Sequence, residues 1–196
     1  MSLHLAAIRS LASIILLTII STANSYAQYS LSLGTNYVHS FGERSIDFQN
    51  ENFNLNSTHG FEITVNNAYQ FPSTKIQAIF EAGFRQLYFS GNSANLTYSG
   101  QLNKLIGALG INYSFTDKFG AAAYIEAENN LEFDYFYSET GDLFRVSLSL
   151  ESTFDLTPRL GITLLLSRAM TPITNAYIIT NPQYQVRLGL IYQFLK

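Results

Sequence analysis

Residues 187–196 read RLGLIYQFLK, and with Gln185 and Val186 ahead of them they alternate almost without a fault. The even positions Val186, Leu188, Leu190, Tyr192 and Phe194 are all apolar. The odd positions Gln185, Arg187, Gly189, Ile191 and Gln193 hold one large apolar residue. Successive side chains of a β-strand point to opposite faces, so a period of two sorts these sets onto the two sides of a sheet. One side calls for apolar surroundings and the other for polar or small neighbours.

The same signal recurs upstream. In residues 144–156, Phe144, Val146, Leu148, Leu150, Phe154 and Leu156 alternate with Arg145, Ser147, Ser149, Glu151, Thr153 and Asp155, and Ser152 is the one polar residue on the apolar phase. Residues 29–41, 61–71, 76–88, 105–115 and 119–127 behave alike. Residues 160–167 are the irregular member, because Leu164, Leu165 and Leu166 interrupt the alternation. With the last strand the expectation is eight strands.

Their connections alternate in length. Residues 72–74, 116–118 and 157–159 are tight and carry Pro, Ser, Thr or Asp, which favour turns. Residues 42–57, 91–94 with their flanks, 129–141 and 170–182 are longer and polar. Short turns at one end and long loops at the other predict an all-β, eight-stranded antiparallel transmembrane barrel with periplasmic turns and extracellular loops.

Residues 1–27 read as a cleaved signal peptide. Arg9 is the firm cation, 11–20 the apolar run, and Ser25-Tyr26-Ala27 the small-x-small triplet before Gln28. That apolar run is shorter than the roughly 20 residues needed to span a bilayer as a helix. The exported domain is then residues 28–196. Removing Arg9 from the eleven basic residues leaves ten against fourteen acidic ones. Such a balance offers no basic patch for nucleic acid. The absence of cysteine excludes a disulfide framework and thiolate metal sites.

Alternation alone does not fix which face is outside, and a secreted lipocalin-like carrier is the competing architecture. The membrane is favoured on two counts. The polar face carries carboxylates that an apolar calyx would not tolerate. Aromatics cluster beside the tight turns, at Phe71, Phe115, Phe119, Phe154, Tyr192 and Phe194, as in an interfacial girdle.

The run from Arg187 to Phe194 resembles the C-terminal insertion signal of outer-membrane barrels: a polar residue, Gly189, then the large hydrophobics Tyr192 and Phe194. That family ends at the aromatic, whereas this chain adds Leu195 and Lys196. Over residues 28–196 the chain resembles the small OmpA- and OmpX-like barrels, and its ending resembles barrels of the Bacteroidota. The resemblance implies a multi-pass protein of a bacterial outer membrane, in contact with lipid and lipopolysaccharide. It also implies that a barrel-assembly machine reads the last strand.

By phase, Glu62, Glu81, Arg85, Glu126, Arg145, Glu151 and Arg187 face the lumen. In a narrow interior, opposite charges are expected to pair and form a plug; the alternative is a narrow gated channel in which the pairs exchange partners. A lipid A-modifying enzyme would need a nucleophile beside a base. His39 and His59 are the histidines beyond the signal peptide, and Ser40 next to His39 points to the opposite face. No catalytic, cofactor or metal site is expected. For recognition, Leu131, Glu132, Phe133, Asp134, Tyr135, Phe136 and Tyr137 combine aromatics with carboxylates. They keep the phase of the strand before them and are expected to project as an edge for an extracellular protein partner.

Overall fold

A computed structural model describes residues 29–41, 44–48, 51–55, 58–92, 97–132, 144–170, 174–175, 178–180 and 184–195. The expected leader at 1–27 lies outside them. Eight long strands form the body: β1 (Tyr29–Phe41), β4 (Thr58–Gln70), β5 (Ile76–Asn92), β6 (Thr97–Ser114), β7 (Phe119–Glu132), β8 (Phe144–Asp155), β9 (Leu160–Ala169) and β12 (Tyr184–Leu195). Each pairs antiparallel with the long strands beside it in sequence. The barrel closes where β12 returns to β1, with Tyr37 opposite Leu188 and Asn36 opposite Gly189. Closure leaves no unpaired sheet edge around the wall.

The tight turns are built by side chain as well as by backbone. At 116–118 and 157–159 a threonine opens the turn, and its hydroxyl accepts from the amides two and three residues on. Thr116 Oγ1 takes Lys118 N at 3.2 Å and Phe119 N at 3.0 Å. Thr157 Oγ1 takes Arg159 N at 3.3 Å and Leu160 N at 3.0 Å. These threonine caps lock the reversal locally, so adjacent strands pair in one register. In the third turn Ser73 takes the left-handed conformation, with φ 59°.

Outside the wall, apolar side chains stand exposed along every strand: Leu109 is 65% exposed, Leu150 65% and Ile111 61%. Two aromatic tiers bound this belt. At the turn end Tyr29 meets Tyr69 (5.0 Å between rings), Tyr113 meets Phe115 (5.0 Å) and Tyr192 meets Phe194 (5.2 Å). At the loop end Phe41 stacks on Tyr184 at 6.1 Å, and the Arg168 guanidinium lies 5.7 Å from the same tyrosine ring.

The structure corrects four sequence expectations. The three leucines of β9 do not break the alternation: Leu164 and Leu166 face out while Leu165 is buried inside, opposite Arg187 and Glu151 in register. Strands β5 and β6 reach Asn92 and begin at Thr97, 17 and 18 residues long, against the roughly 9–11 that span a bilayer. They stand well beyond the belt on the loop side. The expected loops 42–57 and 170–182 contain strands, namely β2 (Arg44–Phe48), β3 (Glu51–Leu55), β10 (Thr174–Asn175) and β11 (Ile178–Thr180). β3 pairs with the tip of β5, β2 with β3, β11 with β2 and β10 with β11. The projecting edge of β5 is thereby paired rather than left open. Finally, the phase of β7 is not carried on past residue 130. Lys104 pairs with Asn130 but Asn103 with Glu132, so Leu131 is an extra residue in a bulge. Phe133, Asp134, Tyr135, Phe136 and Tyr137 lie outside the described residues.

Candidate functional site

The centre of the lumen is a network of ion pairs. The Arg85 side chain, fully buried on β5, reaches three carboxylates. Its Nε donates to Glu62 Oε2 at 2.7 Å, Nη2 to Glu126 Oε1 at 3.0 Å and Nη1 to Glu128 Oε1 at 2.5 Å. Arg187, equally buried on β12, donates through Nη2 to Glu126 Oε2 at 2.5 Å and through Nη1 to Glu62 Oε2 at 3.2 Å. Lys104 Nζ donates to Glu128 Oε2 at 2.5 Å. The two arginines and two of the glutamates thus form a closed ring of charge across the barrel, which Glu128 and Lys104 extend. Planar guanidinium groups suit this role, because each presents donors in several directions at once.

Neutral groups set the network's geometry. Asn36 donates to Glu62 Oε1 at 2.8 Å and accepts from Thr163 Oγ1 at 3.1 Å. Its side chain crosses the position where a Cβ on Gly189 would stand, only 1.9 Å from Asn36 Oδ1. Glycine at 189 therefore makes the space that lets Asn36 orient Glu62. Gln185 Oε1 accepts from Arg85 Nη1 at 3.1 Å.

Of the lumen residues expected from phase, Glu62, Arg85, Glu126 and Arg187 meet in this network. Arg145 is buried on β8 in register with Glu128. Glu81 is buried on β5, and Glu151 sits apart, accepting from Tyr124 Oη and Thr153 Oγ1, both at 3.2 Å. Sequence phase missed Lys104 and Glu128. Both share the inward phase of their strands, but the apolar alternation stops at Leu105 and Ala127, one residue short of each. Continuing the phase beyond the apolar run would have found them.

Below the network the Tyr124 ring packs with Ile79, Ala108 and Ala122 and covers Gly110, its register partner. Between this layer and the turns lies a polar vestibule of about 400 Å³, whose lining includes Asn66, Gln77, Asn112, Glu151 and Gln193 and reaches the turn at 116–118. The lumen is thus layered from vestibule to apolar shelf to charge network.

The remaining singled-out residues lie on the outside or at the rim. Tyr192 and Phe194 stand exposed, their rings edge to face. His39 is half-buried and His59 exposed, the first with its ring 6.2 Å from Phe41 and the second 6.1 Å from Tyr88. Ser40 is buried on the inward face, away from His39. Leu131 is half-buried at the bulge and Glu132 ends β7. Among the described residues there is no cluster of three or more metal-ligating side chains.

No protein-family profile matches the chain, and neither does any curated protein sequence. Solved structures do. The outer membrane protein OprG of Pseudomonas aeruginosa superimposes with a TM-score of 0.54 at 10% identity, covering 87% of this chain and 98% of that one. Ail, the attachment invasion locus protein of Yersinia pestis, solved in complex with the heparin analogue sucrose octasulfate, gives 0.53 at 12% identity over 85% and 99%. The outer membrane protein AlkL, solved in lipid bilayers, gives 0.55 at 15% identity over 88% and 93%. At these identities the shared property is the fold, that of the small eight-stranded outer-membrane barrels.

Proposed function

We propose that this chain is an integral barrel of a bacterial outer membrane, reached by a cleaved signal peptide. We read it as a non-enzymatic protein whose lumen is sealed and whose outer loops present a surface to lipopolysaccharide or an extracellular protein. The observation that carries this is the pairing of two opposite surfaces on one wall. An apolar belt between aromatic tiers suits lipid, while Arg85 and Arg187 cross-link Glu62 and Glu126 through the middle of the lumen. The outward placement of both histidines, away from buried Ser40, supports the non-enzymatic reading.

The vestibule favours one second reading, a narrow pore gated by rearrangement of the network. Planar-bilayer recording separates the two. A sealed barrel gives no steady conductance; large, long-lived open channels from the purified protein would replace the display role with the pore.

A further inference from the structure

On the outer wall, β1 and β4 run antiparallel with His39 directly opposite His59. Both lie on the outward phase, the next outward pair on the loop side of the exposed Tyr37 and Phe61, while Val38 and Ser40 on either side of His39 are buried on the inward phase. These are two of the three histidines in the whole sequence, the third being His4 in the leader. Side chains directly opposed across antiparallel strands have Cβ atoms about 4.5–5.5 Å apart. That spacing lets two imidazoles grip one metal ion between them.

We propose that His39 and His59 form a two-imidazole site for a borderline first-row divalent cation at the loop-side rim of the barrel, with the remaining coordination positions filled by water. Imidazole nitrogens suit Cu²⁺, Ni²⁺ and Zn²⁺, and among these Cu²⁺ binds most tightly at a given nitrogen set. Carboxylate-preferring Ca²⁺ and Mg²⁺ gain nothing from it. In the structure the rings lean apart, onto Phe41 and Tyr88. Closing them on a metal requires both rings to turn about their Cα–Cβ bonds, and strands commonly allow two such settings. The site is independent of what the loops recognise and of whether the lumen conducts.

The test uses the untagged, signal-processed protein folded in detergent micelles, with Cu²⁺ as the probe. The paramagnetic resonance spectrum of the bound ion should carry the splitting of two imidazole nitrogens. Removing even an outer-shell partner of a metal ligand weakens affinity about 10- to 100-fold, so His39→Ala and His59→Ala should each cost at least about tenfold and leave a one-nitrogen spectrum. Heat-dependent gel mobility confirms that each variant is folded, and His59→Gln supplies a second, polar replacement at the same place. A wild-type spectrum with a single imidazole, or folded variants that bind Cu²⁺ as tightly as wild type, would overturn the proposal.

Discussion

At the scale of single residues, Arg85 is the most consequential side chain in the barrel. Its guanidinium serves Glu62, Glu126 and Glu128 at once and makes a further bond to Gln185. Taking charges out of water is costly, and their mutual attraction repays that cost only while every partner is present. Arg85→Leu takes one cation from three buried carboxylates, leaving Glu128 with Lys104 and the other two sharing Arg187. Breaking a buried pair by deleting one partner typically costs about 3–5 kcal/mol. The expected outcome is a clear fall in the urea midpoint of the folded barrel in detergent, read from gel mobility. An unchanged midpoint would mean that the network adds no stability. Gly189 acts at one remove, since its missing Cβ admits Asn36, which holds Glu62 in place.

At the scale of strands, what was legible in the sequence follows from where each strand meets its surroundings. Within the lipid belt one face must be apolar, so the alternation of β8 and β12 announces both their existence and their inward residues. Past the belt the outward face meets water instead of lipid, and the demand that it be apolar lapses. The true ends of β5 and β6, and with them Lys104, carried no apolar alternation to mark them, and on β7 the polar Asn129 interrupts it just after Glu128. The strands β2, β3, β10 and β11, 5, 5, 2 and 3 residues long, are too short to show a run of alternation. Inside the barrel the rule relaxes in a different way: Leu165, Leu87 and Val38 are buried on the inward phase, Leu165 with Arg187 and Glu151 opposite it in register, because a filled lumen accepts apolar side chains as spacers. The last strand shows how position decides a mutation's effect. Phe194 stands outward beside the turn-end tier, where a carboxylate on the lipid face costs little, at most about 1 kcal/mol. Phe194→Asp should therefore refold in detergent nearly as well as wild type. If the ending serves as an insertion signal, the same variant should reach the outer membrane of cells at a much lower level. Wild-type membrane levels would remove that role from Phe194.

At the scale of the whole molecule the barrel and its outer sheet are separable in stability. The wall is closed by the eight long strands alone, and β12 pairs with β1 without help from the loops. Only Gly91 and Asn92 of β5 lean on β3, and β10 and β11 attach to the wall through β2. Replacing residues 44–55 with a short turn should therefore leave the urea midpoint of the barrel nearly unchanged, since each doubling of loop length alters closure by only about 0.6 kcal/mol. Function should not be so indifferent. Two outer segments compete for the recognition role: the paired sheet built on residues 44–55, and residues 131–141, whose aromatics and carboxylates supply contact area and steering. Binding of labelled extracellular proteins and lipopolysaccharide to intact cells, compared across the two deletions, distinguishes them. The aromatic segment is expected to carry the contact, so deleting 131–141 should abolish binding while deleting 44–55 weakens it by loosening the sheet. If binding survives the loss of 131–141 and disappears with 44–55, the ordered sheet rather than the aromatic segment is the recognition surface.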